Sequence, residues 1–317
     1  MCALHRRRPR FARRFGLASG MLLCWGLVFS TGEAWGQAGG AKDPPAEYVL
    51  AGQAALNWTR RFVELGPRPA GSSALATQTA TMAEALGEMS CTVEINEFVA
   101  ATPVGALPMR NVIARFGPPS PDKVVVVSGH YDTLRKEGFL GANDGGSSAG
   151  LLMALAERLD ACVPGPVWIV FFDGEEATVA WRGLDNTYGS RHLANKWADD
   201  GTLEKIRALI NVDMIGDSDL QLVYEGNSDP SLREAVWKLA GELGYRDAFP
   251  REVGYISDDH IPFRRLGVRS LNLIDFTFGP DNSYWHTDED TLDKLHARSF
   301  ATVLHVVEAA VSRLLAD

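Results

Sequence analysis

Phe171-Phe172-Asp173-Gly174-Glu175-Glu176 runs from an apolar stretch straight into two adjacent acids. The preceding run, Val167-Trp168-Ile169-Val170-Phe171-Phe172, has no polar alternation, the pattern of a strand covered on both faces. In open α/β sheets ligands sit beyond the carboxyl ends of the strands. Two neighbouring carboxylates at such an end can divide two tasks, one binding a metal and one moving protons. Alone, a Gly-Glu-Glu triplet reads more readily as a charged surface turn, so its chemical meaning depends on what else the chain places beside it.

The same position recurs along the chain. His130 with Asp132, then Asp144, Asp213 and His286 each follow an expected strand or lie in the loop after it. A single such residue is an ordinary cap or solvated group. A whole set at successive strand ends would be mutually repulsive, and a bound cation is the natural remedy. Imidazole and carboxylate donors without thiolate fit Zn²⁺ with a position left open for substrate. The widely spaced Cys91 and Cys162 make no zinc knuckle, although in an oxidising compartment they could pair. Ser147 and Ser148 follow glycines but lack a nucleophile elbow. The Gly-rich turn at 141–150 lacks both Lys-Ser/Thr and Gly-x-Gly-x-x-Gly, which argues against nucleotide binding. His192, on an expected helix, reads as structural, and His260 as either a pocket or a hydrogen-bonded loop residue. His296 and His305 read as packing or surface residues of the last helix.

The elements that must position these groups alternate. Helices are expected from Tyr48 to Leu65, from a Ser72 or Ser73 cap to Leu86, up to Leu159, over Tyr188–Trp197, Ser231–Leu243 and Thr291–Leu315. Strands are expected at Thr92–Val99, Asn111–Phe116, Lys123–Ser128, Val167–Phe172, Ala208–Asp213, Leu220–Tyr224 and Val268–Ile274, with Asp258–Phe263 as a polar loop. No internal repeat is visible. Strands alternating with helices from Lys123 onward give one α/β domain with a central mixed, mainly parallel sheet flanked by helices.

The chain has 317 residues, 46% hydrophobic and 22% charged, an ordinary soluble composition. Residues 1–36 stand apart: six arginines precede an apolar run from Gly16 to Phe29, and Ala34 and Gly36 supply small residues before Gln37. This is a secretory signal layout, so export to a periplasm or the exterior is expected. The run is short for a membrane span, which makes an uncleaved anchor the lesser expectation. Residues 37–46 read as a Gly/Ala/Pro-rich linker and 47–317 as the domain. Residues 1–36 hold six of the 31 basic residues and one of the 40 acids, so the remainder carries 25 basic against 39 acidic side chains, a balance of −14. That balance argues against nucleic acid or an anionic membrane surface as a partner.

Taken in order, Gly66-Pro67-Arg68-Pro69-Ala70-Gly71-Ser72, Gly129-His130-Tyr131-Asp132-Thr133, Gly141-Ala142-Asn143-Asp144-Gly145-Gly146, Asp173-Gly174-Glu175-Glu176, Asp213 and Trp285-His286-Thr287 resemble the M28 zinc peptidase family. Within it the chain is most similar to the glutaminyl cyclase branch. That similarity lies in Phe171 to Ala177 with Trp181 shortly after, in Tyr188 to Ala194, and in Asp258 to Phe263. The resemblance covers nearly all of the chain beyond residue 36 and implies the zinc exopeptidase-like fold.

The cyclase branch implies closure of an N-terminal Gln of a peptide or protein into pyroglutamate, with release of ammonia. It also implies one zinc on Asp144, Glu176 and His286, and Glu175 as general acid/base. Asp213 and Asp259 would orient the amine, and Trp181 and Trp285 would wall the pocket and exclude water. The peptidase side of the family implies two zincs instead. His130 and Asp213 would then hold the second, Asp144 would bridge, and Glu175 would activate water for hydrolysis of an N-terminal peptide bond. Asn272 stands where animal cyclases have a histidine, and the Asn143-Asp144-Gly145-Gly146 turn is closer to the peptidase style. A secreted binding protein on an inactive scaffold is the remaining class, opposed by the intact Glu175, Glu176 and His286.

Overall fold

Four adjacent parallel strands of one six-stranded sheet account for most of the acid-bearing ends read from the sequence. The computed structural model describes residues 42–161 and 165–316. Residues 1–36, the first half of the expected linker, and Cys162 with its possible link to Cys91 lie outside them.

Helix α1 (Ala46–Val63) and α2 (Ser73–Gly87) precede a long hairpin of β1 (Thr92–Thr102) and β2 (Gly105–Phe116). Then follow β3 (Val124–His130), α3 (Gly146–Ala161), β4 (Val167–Phe172), α4 (Tyr188–Asp199) and β5 (Ile206–Asp213). After them come β6 (Tyr224–Glu225), α5 (Pro230–Leu243), β7 (Val253–Gly254), α6 (His260–Arg265), β8 (Ser270–Ile274) and α7 (Ala297–Ala316). The large sheet has the order β1-β2-β4-β3-β5-β8. β1 and β2 join antiparallel, β2 meets β4 antiparallel, and β4, β3, β5 and β8 run parallel to their neighbours. The mixed, mainly parallel sheet of the sequence reading is therefore present.

Every residue of β3 and β4 is buried because successive side chains point to opposite faces and both faces are covered. Val125, Val127, Ile169 and Phe171 belong to the larger core, shared with α1, α3, α5 and α7. Val124, Val126, Trp168, Val170 and Phe172 face the other way, onto Leu193, Ala194 and Trp197 of α4 and Phe263 of α6. Burying each such side chain is worth roughly 1.5–3 kcal/mol. Ser72 caps α2 by accepting from the Leu75 N–H at 3.1 Å, as its position before the helix suggested.

Three elements differ from expectation. The strand expected at Leu220–Tyr224 shrinks to β6, which pairs only with β7. Its upstream amides are used elsewhere, Leu222 N–H on Ala248 O and Val223 N–H on Ile274 O. The expected polar loop at 258–263 turns into α6 from His260 onward. The last helix begins at Ala297, because Leu295 is extended (φ −97°, ψ 149°) and separates it from a short 3₁₀ turn at Leu292–Lys294. His296 thus precedes α7 and accepts from the Arg298 N–H through Nδ1 at 3.1 Å.

Candidate active site and metal centre

β3, β4, β5 and β8 finish side by side, so their following residues share one rim. β3 ends on His130 and β5 on Asp213, while Glu175 and Glu176 come three and four residues after β4. The turn between β4 and Glu175 needs glycine: Gly174 has φ 68°, and a Cβ there would press on Met109. Gly145 (φ 79°), beside Asp144, is equally constrained, since a Cβ would collide with the Asp132 carbonyl. His286 arrives from the long segment after β8 and also has a left-handed backbone, φ 56°. A non-glycine residue held there costs on the order of 1–3 kcal/mol and persists only where its surroundings fix it. Lys136 Nζ donates to the His286 carbonyl at 3.3 Å.

Two groups of donors converge. His286 Nε2 lies 3.2 Å from Asp144 Oδ2 and 3.3 Å from Glu176 Oε1. His130 Nε2 lies 3.3 Å from Asp144 Oδ1 and 3.1 Å from Asp213 Oδ1. Within each triple the donor atoms fall within 4.8 Å of one another, and Asp144 belongs to both. Tetrahedral zinc with bonds of about 2.0–2.2 Å separates its donors by about 3.3 Å. The donor set therefore fits. Asp144 Oδ2 and both Glu176 oxygens are also buried without a hydrogen-bond partner, the state of atoms awaiting a cation.

The electrostatics agree. Burial, then Asp144, pushes Glu176 up to about 8. Burial raises Asp213 to about 6 against the pull of His130. Burial opposes charge on His286, yet contact with Asp144 and Glu176 lifts it to about 10. For Asp144 burial is overridden by both imidazoles, which hold it below the ordinary range. Glu175 is pushed well up, first by burial and then, against His130, by Asp258, Glu176 and Asp259. The rim thus takes up positive charge wherever it can.

A cavity of about 420 Å³ opens onto this rim. Glu175, Asp213 and Asp258 lie in its floor, and Trp181, Ile256, Phe276 and Trp285 in its walls. Trp181 is 42% exposed and Trp285 36%, so neither indole is a core residue. Trp285 stacks on His286 with ring centroids 4.0 Å apart. Of the adjacent acids, both buried, Asp258 lines the cavity, whereas Asp259, the acid singled out from sequence, is not among the lining residues. Asp258 Oδ2 accepts from Asn272 Nδ2 at 2.6 Å and Asn211 Nδ2 at 3.2 Å, which places Asn272 behind the site, in contact with it through Asp258.

Supporting residues carry much of the geometry. Asp132 accepts the Glu175 N–H at 3.0 Å and the Glu176 N–H at 3.3 Å, and its Oδ1 sits 3.5 Å from His130 Nδ1. Asp290 accepts the N–H groups of Asn143 (2.7 Å) and Asp144 (3.0 Å). Arg68, fully buried, donates to the carbonyls of Gly66 and Gly141. Asp132 was visible from its motif but without a task; Arg68 was visible only as part of a motif, and Asp290 had no signal. His260 is buried 3.2 Å from Glu225 and lies outside the cavity lining. His192 stacks on Phe98 away from the rim. Ser147 accepts the Ile215 N–H, a structural role.

The model of "Peptidase family M28" matches residues 111–311. The glutaminyl-peptide cyclotransferase of Drosophila melanogaster is 31% identical over 253 residues, 71% of this chain and 70% of that protein. The crystal structure of an Acidobacteriales bacterium glutaminyl cyclase superposes with a TM-score of 0.80 at 36% identity, covering 90% of this chain and 99% of that one. A leucine aminopeptidase precursor from Bacteroides thetaiotaomicron superposes with a TM-score of 0.74 at 26% identity, over 82% and 96%.

Proposed function

The chain belongs to the M28 peptidase family, in its glutaminyl cyclase branch, and we propose that it converts the N-terminal glutamine of exported peptides or proteins into pyroglutamate. The observation that carries this reading is one floor holding Glu175 beside the Asp144–Glu176–His286 donors, under a cavity walled by Trp181 and Trp285. One zinc on those three donors would polarise the γ-carbonyl of the glutamine when bound.

Glu175 supplies the proton transfers. Its carboxylate takes a proton from the α-amine as the amine nitrogen attacks the side-chain carboxamide carbon, Cδ. The same carboxyl returns that proton to the departing amide nitrogen, and the carbon–nitrogen bond breaks to release ammonia. Burial and the neighbouring acids raise the pKa of Glu175, which strengthens its carboxylate as a base toward the α-amine. Asp213 and Asp258, both in the floor, orient the amine. The indoles shield the reacting carbonyl from water, which would otherwise give hydrolysis to glutamate.

In the single-zinc reading His130 takes the place of a second ion: its Nε2 lies 3.1 Å from Asp213 and 3.3 Å from Asp144, and the acids around it favour its protonated form against burial. The same three residues are also what favours the second reading, a two-zinc aminopeptidase. Metal counting together with product analysis on a Gln-Xaa dipeptide tests the choice. One zinc per chain with pyroglutamyl product and ammonia supports the cyclase; two metals with free amino acids select the peptidase. No turnover by a zinc-loaded chain selects an inactive binding protein. The signal layout of residues 1–36 supports export, which fits peptides met outside the cytoplasm as substrates.

A further inference from the structure

The wall that carries Trp181 has almost no packing of its own. Residues 179–184 are all exposed, with Val179 at 67% and Leu184 at 70%. Yet this segment contributes Val179, Ala180 and Trp181 to the cavity. An exposed loop does not hold an indole in one place unless something fixes its backbone.

Asp185 does so. Its carboxylate, only 7% exposed, collects five donors. Oδ1 accepts the Thr178 N–H at 2.9 Å, the Thr178 hydroxyl at 2.7 Å and the Tyr188 hydroxyl at 2.7 Å. Oδ2 accepts the N–H groups of Val179 and Ala180, each at 2.9 Å. Three consecutive amides leading to Trp181 are therefore tied to one anion. The anion is itself anchored to α4. Tyr188, in the first turn, gives its hydroxyl to Asp185, and Arg191 donates to the carbonyls of Leu184 and Asn186 on either side of it. α4 in turn packs Leu193, Ala194 and Trp197 into the core beneath β3 and β4. A continuous chain of contacts links the rigid sheet to the indole.

We propose that Asp185 is a positioning residue that fixes the Trp181 wall and thereby the binding of the substrate's N-terminal residue. It touches neither the metal donors nor Glu175, so its effect falls on binding rather than on proton transfer. Hydrogen bonds to a charged acceptor are worth about twice those between neutral groups, and Asp185 accepts five. Asparagine would turn one oxygen into a donor that faces other donors.

The proposal rests on the cyclase reading for its kinetic part and stands on the loop for the rest. The test uses the zinc-loaded full chain with Asp185→Asn, Trp181→Ala and both together. In Asp185→Asn, hydrogen exchange of the 178–180 amides is expected to quicken at least about tenfold, with zinc content and exchange elsewhere unchanged. KM for a Gln-Xaa dipeptide is expected to rise about tenfold, with kcat within about twofold. The double variant should match Trp181→Ala alone, because Asp185 acts through that residue. Unchanged exchange, additive KM effects, or a loss confined to kcat would each overturn the proposal. Should Asp185→Asn fail to fold, the Thr178→Val/Tyr188→Phe pair removes two donors on Oδ1 and enters the same cycle with a smaller shift. If the unaltered chain makes no pyroglutamate, the cyclase reading fails by itself and exchange at 178–180 still decides the role of Asp185.

Discussion

Asp132 accepts the backbone N–H of Glu175 at 3.0 Å, so the proposed acid/base is aimed through its own main chain rather than through its carboxyl. The other Asp132 oxygen takes the Glu176 N–H at 3.3 Å, which ties the neighbouring metal donor to the same anchor. The two carboxyl groups can therefore differ in task while sharing one support, and changes at one need not disturb the other.

Glu175→Gln follows from that separation. The amide keeps the size of the side chain and the bond to Asp132, but it carries no proton between nitrogen atoms. Zinc per chain should stay at the level of the unaltered protein, while kcat falls by roughly 10³-fold or more. A variant within tenfold of normal turnover would remove Glu175 from the reaction.

The adjacent acids Asp258 and Asp259 separate by exposure to the cavity. Asp258 lies in the floor, held by Asn272 and Asn211, and Asp259 is not among the lining residues. Asp258→Asn should lower kcat/KM by about 10²-fold and also lower the melting temperature, since both Asp258 oxygens accept from buried N–H groups that a new amide NH2 would oppose. Asp259→Asn should leave kcat/KM within about threefold. Steady-state kinetics on the two variants in parallel decide between them, and the reverse order would return the role to Asp259.

Much of this arrangement was legible in the sequence, and the reasons are local. Val124–Val127 and Val167–Phe172 announce buried parallel strands because no polar residue interrupts them, and the acids that follow inherit a common rim from the topology. The choice between Asp258 and Asp259 was not legible, because it turns on α6 starting one residue later, at His260. Asp290 was invisible for a different reason. It meets Asp144 across 146 positions of chain, and no local pattern encodes that contact. Leu220–Tyr224 misled because its apolar residues are buried by loops and sheet ends rather than by a ladder of its own.

Asp290 offers a test of that long-range contact. It holds the turn that presents Asp144, accepting the N–H groups of Asn143 and Asp144. Asp290→Ala frees both amides and should weaken zinc binding about 10- to 100-fold, the range typical of groups that orient metal ligands. Competition with a chelator measures it, and an unchanged dissociation constant would mean that the turn is rigid without Asp290.

Glu225 sets an acid limit on stability that is separate from the metal. Its buried carboxylate accepts the N–H groups of Asn227, Ser228 and Ile256 and the Ser228 hydroxyl, and lies 3.2 Å from His260 Nε2. Burial pushes its pKa up, but His260 and these donors bring it down to about 2 from the usual 4.5. Between those values the unfolded chain binds the proton and the folded chain does not. The stabilisation, roughly 2 to 3 kcal/mol, is therefore complete above about pH 4.5 and disappears as pH falls toward 2. Glu225→Gln should be less stable than the unaltered chain at pH 6, and the gap should narrow steadily below pH 4.5. Urea unfolding of both proteins, stripped of metal with chelator so that acid release of zinc does not intrude, measures the gap at each pH. A gap that stays constant down to pH 2.5 would mean that Glu225 acts by its shape and hydrogen bonds alone, with no contribution from its charge.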